Sequence, residues 1–177
     1  MFIYIVPIFI IGFFLNGVAS KKIKKKAECL LSNPYEPLPD IIHMSFPRIN
    51  VLIPDIFLFF CICISIFYNK TLVNIEKNLL CTGICTIIRS FSIFMTIFPT
   101  CMPKPNLKKK NSYSTLFLST HDLMFSGHSL FFIAIGNMLN NSFIKFFGPF
   151  LLIIARQHYT IDVCVSGLVY FFVYSNI

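Results

Sequence analysis

Residues 123–173 read LMFSGHSLFFIAIGNMLNNSFIKFFGPFLLIIARQHYTIDVCVSGLVYFFV. Three apolar runs fill this stretch, Leu123–Leu139, Phe143–Ala155 and Ile161–Val173, and only two short polar breaks separate them. Apolar runs of this length are typical of buried or membrane helices, and short connections make consecutive helices antiparallel neighbours. The stretch therefore predicts three antiparallel helices, with a tight turn at Asn140-Asn141.

The chain as a whole has the composition of a membrane protein. It is 56% hydrophobic and 12% charged, whereas a soluble domain has about 25% charged residues. Three further apolar runs come earlier in the chain, Phe2–Ala19, Val51–Tyr68 and Leu79–Phe98. Because a membrane span needs about 20 residues, the sequence predicts an all-α, multi-pass membrane bundle of six helices. The whole chain, residues 1–177, forms one domain.

Charge and cysteine usage exclude other classes. The net charge of +8 comes mostly from Lys21–Lys26 and Lys104–Lys110. Neither cluster has interleaved aromatic residues, so we expect contact with anionic lipid headgroups and no nucleic-acid binding. The seven cysteines are odd in number and lack zinc-ligand spacing, which favours small apolar core residues over disulfides or a metal site.

Two histidine motifs could carry chemistry. His128 follows Ser126-Gly127 at the predicted start of the fourth helix, where free N–H groups favour an anion. His158 precedes Asp162 by four residues, so the two share a helix face if the helix includes His158. If Thr160 is instead the N-cap, Asp162 reaches back to the imidazole. The helical hairpin between the motifs returns the chain to one membrane face, so both motifs should lie together.

These side chains suffice for phosphoryl transfer without a metal or cofactor. A carboxylate beside an imidazole fixes its tautomer and activates the other ring nitrogen. In this scheme His158 attacks phosphorus, Asp162 stabilises the resulting imidazolium, and His128 first protonates the leaving oxygen and then deprotonates the incoming hydroxyl. From the residues alone, a structural polar network or an ion pathway is the alternative.

Four motifs, in order over residues 37–163, resemble those of the sphingomyelin synthase family, a lipid-phosphotransferase branch of the type 2 phosphatidic acid phosphatase superfamily. They are PLPD at Pro37–Asp40, RSFSIFMT at Arg89–Thr96, HDLMFSGHS at His121–Ser129 and ARQHYTIDV at Ala155–Val163. The resemblance implies six membrane helices, with the motif-bearing half at residues 121–173. It also implies a His128, His158 and Asp162 triad that transfers a phosphoalcohol headgroup, commonly phosphocholine, from a glycerophospholipid to ceramide and releases diacylglycerol.

Several further side chains are predicted to contact the substrate: Arg89, Asp122, Ser126, Gly127, Gln157 and Tyr159. Arg89 is the only charge in its apolar run, which favours a phosphate contact or an acidic partner. Asp122 either joins the polar rim of the site or caps the fourth helix, and Tyr159 is equally explained as an interfacial aromatic. The implied partners are a phospholipid donor, ceramide and membrane lipids, in Golgi, endoplasmic reticulum or plasma membrane. Homo-oligomerisation stays open.

The chain departs from the family at a position next to the proposed nucleophile. Gln157 stands where animal members often carry an acidic residue, so choline, ethanolamine and inositol phosphate all stay open as headgroups. The phosphatase branch carries an arginine a few residues before its last histidine and a basic motif further upstream. This chain has neither in the form found in that branch, which disfavours hydrolysis of phosphate monoesters. Lipid phosphatase activity, headgroup exchange with diacylglycerol and a non-catalytic lipid sensor or scramblase are the alternatives.

The lysine distribution and the family resemblance predict opposite sides of the membrane for the two histidines. The lysine distribution predicts a cytosolic histidine face, whereas the family has a lumenal or external one.

Overall fold

The structure, a computed structural model, describes residues 2–30, 37–68, 72–99, 101 and 124–177. These residues form seven α-helices and no strand, so the predicted all-α class is confirmed. The helices are α1 (Phe2–Leu30), α2 (Ile41–Ser45), α3 (Leu52–Tyr68), α4 (Leu72–Met95), α5 (Gly127–Met138), α6 (Ser142–Ile154) and α7 (Thr160–Asn176).

Helix α5 lies at the centre of the bundle. On one side Leu130 packs in a buried cluster with Cys85 of α4 and Tyr170 of α7. On another side Phe132 packs with Leu58 of α3 and residues of α6. A helix that is apolar on several faces is one that other helices surround. The surrounding helices therefore fix the position of the α5 N-terminus, where Gly127 and His128 lie.

Helix α1 packs along α4 and crosses it where both helices carry glycine. A Cβ atom added at Gly12 would lie 3.0 Å from the carbonyl oxygen of Gly83, which is tighter than most contacts of a Cβ atom, so a larger residue would push the two helices apart. Small residues at a crossing let helix backbones approach closely. Further along the same interface, Ala19 and Ile93 are buried together.

The two short connections in the C-terminal half have the same backbone geometry. After α5, Asn140 has φ 49°, and the N–H groups of Asn140 and Asn141 donate to the carbonyls of Asn137 (3.1 Å) and Gly136 (2.8 Å). These two hydrogen bonds and the left-handed residue define a Schellman motif. The predicted tight turn at Asn140-Asn141 is therefore confirmed.

The α6–α7 turn repeats this motif with an arginine at the left-handed position. Arg156 has φ 58°. Its N–H donates to the carbonyl of Ile153 (2.8 Å), and that of Gln157 donates to the carbonyl of Leu152 (3.0 Å). The left-handed conformation costs a non-glycine residue about 1–2 kcal/mol. The turn nevertheless adopts it and delivers Gln157 and His158 to the start of α7.

Several predicted boundaries were wrong. Helix α1 was expected to end at Ala19, before the Lys21–Lys26 run, but continues through these lysines to Leu30, because lysine is a good helix former even where it ends an apolar segment. Helix α4 begins seven residues before the expected Leu79, so part of the predicted polar connection is helical. It ends at Met95 rather than Phe98, since Pro99 disfavours helix in the residue before it.

The start of α5 also differs from the prediction. The fourth helix was expected to begin at Leu123, which lies outside the described residues, but the described helix begins at Gly127. Met124, with φ 88°, is not helical. In addition, the short helix α2 follows the proline-rich motif directly, because the Asp40 carboxylate accepts hydrogen bonds from the N–H groups of Ile42 and His43 and caps it.

Within the described residues, two helical segments are long and apolar enough to cross a membrane, Tyr4–Ile23 and Asn74–Met95. Helices α3, α6 and α7 are shorter apolar helices. Helix α5, with 12 residues, is about 18 Å long, against a hydrocarbon core of about 30 Å. Two long apolar helices are weak support for membrane association, and the six-span arrangement stays a prediction.

Candidate active site

The structure brings His128, His158 and Asp162 together at the N-terminal ends of α5 and α7. The ring centroids of the two histidines lie 6.4 Å apart. Nδ1 of His158 lies 3.5 Å from Oδ2 of Asp162. This separation is longer than a normal hydrogen bond, so the pair is a charge contact that strengthens when the imidazole becomes positive.

Asp162 joins the beginnings of the two helices. Its Oδ1 accepts a hydrogen bond from the N–H of Met124 (2.8 Å), and its Oδ2 accepts one from the N–H of Tyr159 (2.9 Å). The backbone N–H of Ser126 donates to the carbonyl of Asp162 (3.3 Å). The carboxylate is fully buried. It therefore fixes the loop before His128 and the turn that carries His158 at the same time.

Helix α7 begins at Thr160 with Tyr159 as the N-cap, so His158 lies before the helix. Of the two predicted geometries, the one in which Asp162 reaches back from the first turn is closer, with the cap one residue earlier than expected. The His158 ring is buried. Its carbonyl oxygen accepts a hydrogen bond from Nε2 of His43 (3.1 Å). The backbone and the imidazole of His158 are thus both held by neighbouring side chains.

His128 is the second residue of α5. The hydroxyl of Ser126 caps this helix by accepting from the N–H of Ser129 (3.1 Å), so the predicted substrate contact Ser126 has a structural role here. Nε2 of His128 lies 3.8 Å from Oδ1 of Asp55, with side chains 29% and 35% exposed. The His128 side of the site is therefore open, whereas the His158 side is closed.

Arg89 supports the loop that precedes His128 in the sequence. Its Nε donates to the carbonyl of Phe125 (2.7 Å), and its Nη1 donates to the side-chain oxygen of Asn16. A Cβ atom on Gly127 would lie 3.4 Å from the guanidinium carbon, so Gly127 rests directly on this cation. The guanidinium is buried. The predicted contacts of Arg89 and Gly127 with a phosphate stay predictions.

Gln157 connects the His158 turn to α3. Its Nε2 donates to the carbonyl of Val51 (2.6 Å) and to Oδ1 of Asp55 (3.3 Å). The side chain is buried. The sequence placed an uncharged amide beside His158, and the structure adds the carboxylate of Asp55 next to that amide. The predicted contact of Gln157 with a headgroup stays a prediction.

Residues 37–46, which we call the strap, bind the start of α7. Asp40 in the strap accepts hydrogen bonds from both the N–H (2.7 Å) and the hydroxyl (2.8 Å) of Thr160. Burial acts to raise the pKa of Asp40. Hydrogen bonds from Thr160 and from the N–H of His43 outweigh burial and hold the pKa of this carboxyl below its usual value. The Asp40 carboxylate is thus tied to the fold in its ionised form.

Further hydrogen bonds from Tyr159 and Arg156 hold the α6–α7 turn in place. The Tyr159 hydroxyl donates to the carbonyl of Pro99 (3.1 Å) and accepts from the N–H of Leu38 (2.9 Å), and burial raises the pKa of Tyr159 to about 12. Arg156 donates through Nη2 to the carbonyl of His43 (3.0 Å), and its own carbonyl accepts from the Cys101 thiol (3.1 Å). The predicted substrate contact of Tyr159 stays a prediction.

Some residues of the site were missed by sequence reasoning, and one predicted residue is not described. Asp122 lies outside the described residues. Asp55 received no role, although a carboxylate in the first turn of an apolar run is an unusual residue there. Asp40 was predicted only as part of the PLPD motif, without a role of its own. For His43 the sequence offers no signal, because its contact with His158 depends on how the strap folds.

The fold and the site define a class: an all-helical bundle with a buried His–Asp pair opposite a second, more exposed histidine. No model of a known protein family matches the chain, and no curated protein matches it. In the part of the chain that the structure describes, no group of three His, Cys, Asp or Glu side chains is arranged to hold a metal ion.

Proposed function

We propose that this protein is a membrane-embedded transferase that moves a phosphoalcohol headgroup, phosphocholine in the first instance, from a glycerophospholipid to ceramide. One observation carries the proposal: the ring centroids of two histidines lie 6.4 Å apart, and one of the rings has a buried carboxylate 3.5 Å from its Nδ1. The resemblance of four sequence motifs to the sphingomyelin synthase family supports the choice of lipid substrates.

In the first half of the reaction His158 is the nucleophile. Its Nδ1 faces Asp162, so Nε2 is the nitrogen that attacks phosphorus. The bond between phosphorus and the diacylglycerol oxygen breaks, and His128 gives that oxygen a proton. Asp162 stabilises the positive ring of the phosphohistidine. Acid catalysis of this kind contributes about 10²–10⁴-fold in rate.

In the second half His128 acts as the base. Now neutral, it takes the proton of the ceramide primary hydroxyl, and the resulting oxygen attacks phosphorus. The phosphorus–nitrogen bond breaks, His158 returns to its free form, and His128 holds the proton needed for the next cycle. Each group therefore ends where it began, with no metal or cofactor in the scheme.

The proposal includes a multi-pass bundle of six membrane helices, in the Golgi, endoplasmic reticulum or plasma membrane. Large apolar side chains on the outer faces of the shorter helices support it. Phe67 of α3 is 88% exposed, Phe146 of α6 is 70% exposed and Leu168 of α7 is 72% exposed. Such surfaces are costly in water and favourable in lipid. A bilayer would also deliver both substrates along the protein surface.

The test is a transfer assay on the purified protein in mixed micelles. Labelled ceramide is supplied with phosphatidylcholine, phosphatidylethanolamine and phosphatidylinositol as donors. We expect a labelled phosphosphingolipid and an equal amount of diacylglycerol. His158→Ala should lower the rate at least about 10³-fold, because it removes the nucleophile. Glu76→Gln, in the N-terminal part of α4, is the matched control and should retain the rate.

Other outcomes would replace this function with a specific alternative. Free phosphate released from phosphatidic acid would indicate a lipid phosphatase. Exchanged phosphatidylcholine that forms without ceramide would indicate transfer to diacylglycerol. Product from the inositol donor alone would change the headgroup. Lipid binding without turnover, equal in wild type and His158→Ala, would indicate a sensor or scramblase and would contradict catalysis.

A further inference from the structure

Each histidine of the site has its own carboxylate, and the two carboxylates come from different parts of the fold. Asp162 faces His158 within one turn of chain. Asp55, in the first turn of α3, lies 3.8 Å through Oδ1 from Nε2 of His128. We propose that Asp55 is the positioning residue for His128, which keeps that imidazole protonated and oriented for the leaving oxygen, and that Gln157 fixes Asp55. This inference rests on the proposed function.

Gln157 is suited to hold the carboxylate in place. Its Nε2 donates to Oδ1 of Asp55 (3.3 Å) and to the carbonyl of Val51 (2.6 Å), one turn of chain before it. The amide is therefore bound to α3 at two points. Since Gln157 directly precedes His158, one backbone segment sets the positions of both the nucleophile and the carboxylate that faces the acid.

The surroundings of Asp55 differ from those of Asp162, the other carboxylate of the site. Asp162 has a side chain 1% exposed and binds two backbone N–H groups. The Asp55 side chain is 35% exposed, and within the described residues the Gln157 amide is its hydrogen-bond donor. Asp55 thus keeps capacity to bind a charged partner, and the imidazolium of His128 lies within reach.

The other charges near His128 would be balanced by a nearby carboxylate during proton donation. The Arg89 cation lies beneath Gly127 and disfavours a second positive charge on the neighbouring ring. The His158 ring, 6.4 Å away, becomes positive as it attacks phosphorus. The charge of Asp162 is already stabilised by two N–H groups. Among the described residues, Asp55 is the carboxylate within 4.0 Å of a His128 ring nitrogen.

The experiment is the pH profile of turnover in the mixed-micelle assay. Asp55→Asn keeps the shape of the side chain and removes its charge. Turnover should fall about 10–100-fold, within the range of general acid catalysis, with KM changed less than about twofold to threefold. The high-pH limb, where His128 loses its proton, should move about one pH unit lower. Asp55→Glu should restore part of the rate and the limb.

Glu76→Gln is the control, because it makes the same acid-to-amide change in α4, about 20 Å along the helix from Arg89. Thermal unfolding in detergent checks that each variant folds. If Asp55→Asn does not fold, Gln157→Met is used in its place as the test of the inference. It should shift the high-pH limb of turnover in the same direction by a smaller amount.

Two failures are distinguishable. A wild-type protein without transferase product contradicts the proposed function, and the inference falls with it. An active wild type whose high-pH limb is unmoved in Asp55→Asn, or in Gln157→Met where Asp55→Asn is unfolded, overturns the inference alone. A loss of thermal stability with an unchanged pH profile also overturns it, because that result assigns Asp55 a structural role.

Discussion

The α5–α6 turn and the α6–α7 turn close with the same pair of backbone hydrogen bonds, yet only the second carries the site. The first places Asn140 in the left-handed conformation, at φ 49°, which asparagine tolerates well. The second places Arg156 there, at φ 58°, which an arginine tolerates poorly. The backbone of the turn is therefore generic, and its side chains distinguish the site.

The second turn also carries buried polar atoms in three consecutive residues. Arg156 Nε, Gln157 Oε1 and His158 Nδ1 are buried and make no hydrogen bond to any described residue. Buried polar groups without partners are rare in native proteins. Asn140 and Asn141 of the first turn are exposed instead. Such atoms in three consecutive residues, one of them the left-handed Arg156, distinguish the second turn from the first.

The largest difference in turnover is expected when a side chain that accepts backbone hydrogen bonds is changed at each of the two turns. Asp162→Asn removes the negative charge beside His158 and one of the two oxygens that accept backbone N–H groups. We expect turnover in the micelle assay to fall about 10³–10⁴-fold, as in other histidine–carboxylate pairs.

The matched change at the first turn is Asn141→Ala, which removes the α6 cap on the N–H of Ile144. It should lower the free energy of unfolding by about 1 kcal/mol and leave turnover unchanged. Asp162→Asn within tenfold of wild type would remove the functional distinction between the turns.

A smaller effect is expected from the strap, which supports only the second turn. Asp40→Asn weakens the hydrogen bonds from Thr160 and should lower the free energy of unfolding at pH 7 by about 1 kcal/mol. Because the folded protein depresses the pKa of Asp40 below 3.8, this contribution is present above that value. It is lost as pH falls through the folded pKa.

Denaturant titrations of wild type and Asp40→Asn at several pH values check this sign. The two curves should differ at neutral pH and converge as the pH falls below 3.8. Asn141→Ala serves as the pH-independent control. A difference that grows at low pH would contradict the assigned hydrogen bonds.

The smallest effect concerns the left-handed residues themselves. Arg156→Gly relieves about 1 kcal/mol of backbone strain but loses the hydrogen bond to the carbonyl of His43, worth about 0.5–1.5 kcal/mol. The net change in the free energy of unfolding should therefore be near zero, while turnover falls severalfold. Asn140→Gly should leave both quantities nearly unchanged. Equal turnover losses in the two variants would show that the turns are not functionally distinct.

Local features of the sequence predicted much of the fold. Apolar runs and their polar breaks are local, so the helical class, the turn at Asn140-Asn141 and the start of α3 could be read from the chain. The three motif residues His128, His158 and Asp162 were placed together correctly, since a helical hairpin returns the chain to the side where it began.

Contacts between distant segments could not be predicted in the same way. Asp55 meets His128 because α3 packs against α5, and no periodic pattern encodes which faces of two apolar helices meet. The strap is similar: prolines indicate that it is extended, but not that Asp40 reaches Thr160. Helix α1 was predicted too short because the lysine run ends the apolar segment, whereas the helix continues through it.

Both ends of the α4–α5 connection are hydrogen-bonded to the same turn. At its start, Pro99 accepts from Tyr159 and Cys101 donates to Arg156, and at its end Met124 donates to Asp162. Both ends of this connection are therefore fixed on the turn that carries His158. One short turn thus ties together segments that lie 38 to 60 residues from it along the sequence, and a change that unfolds it would release both ends of the connection at once.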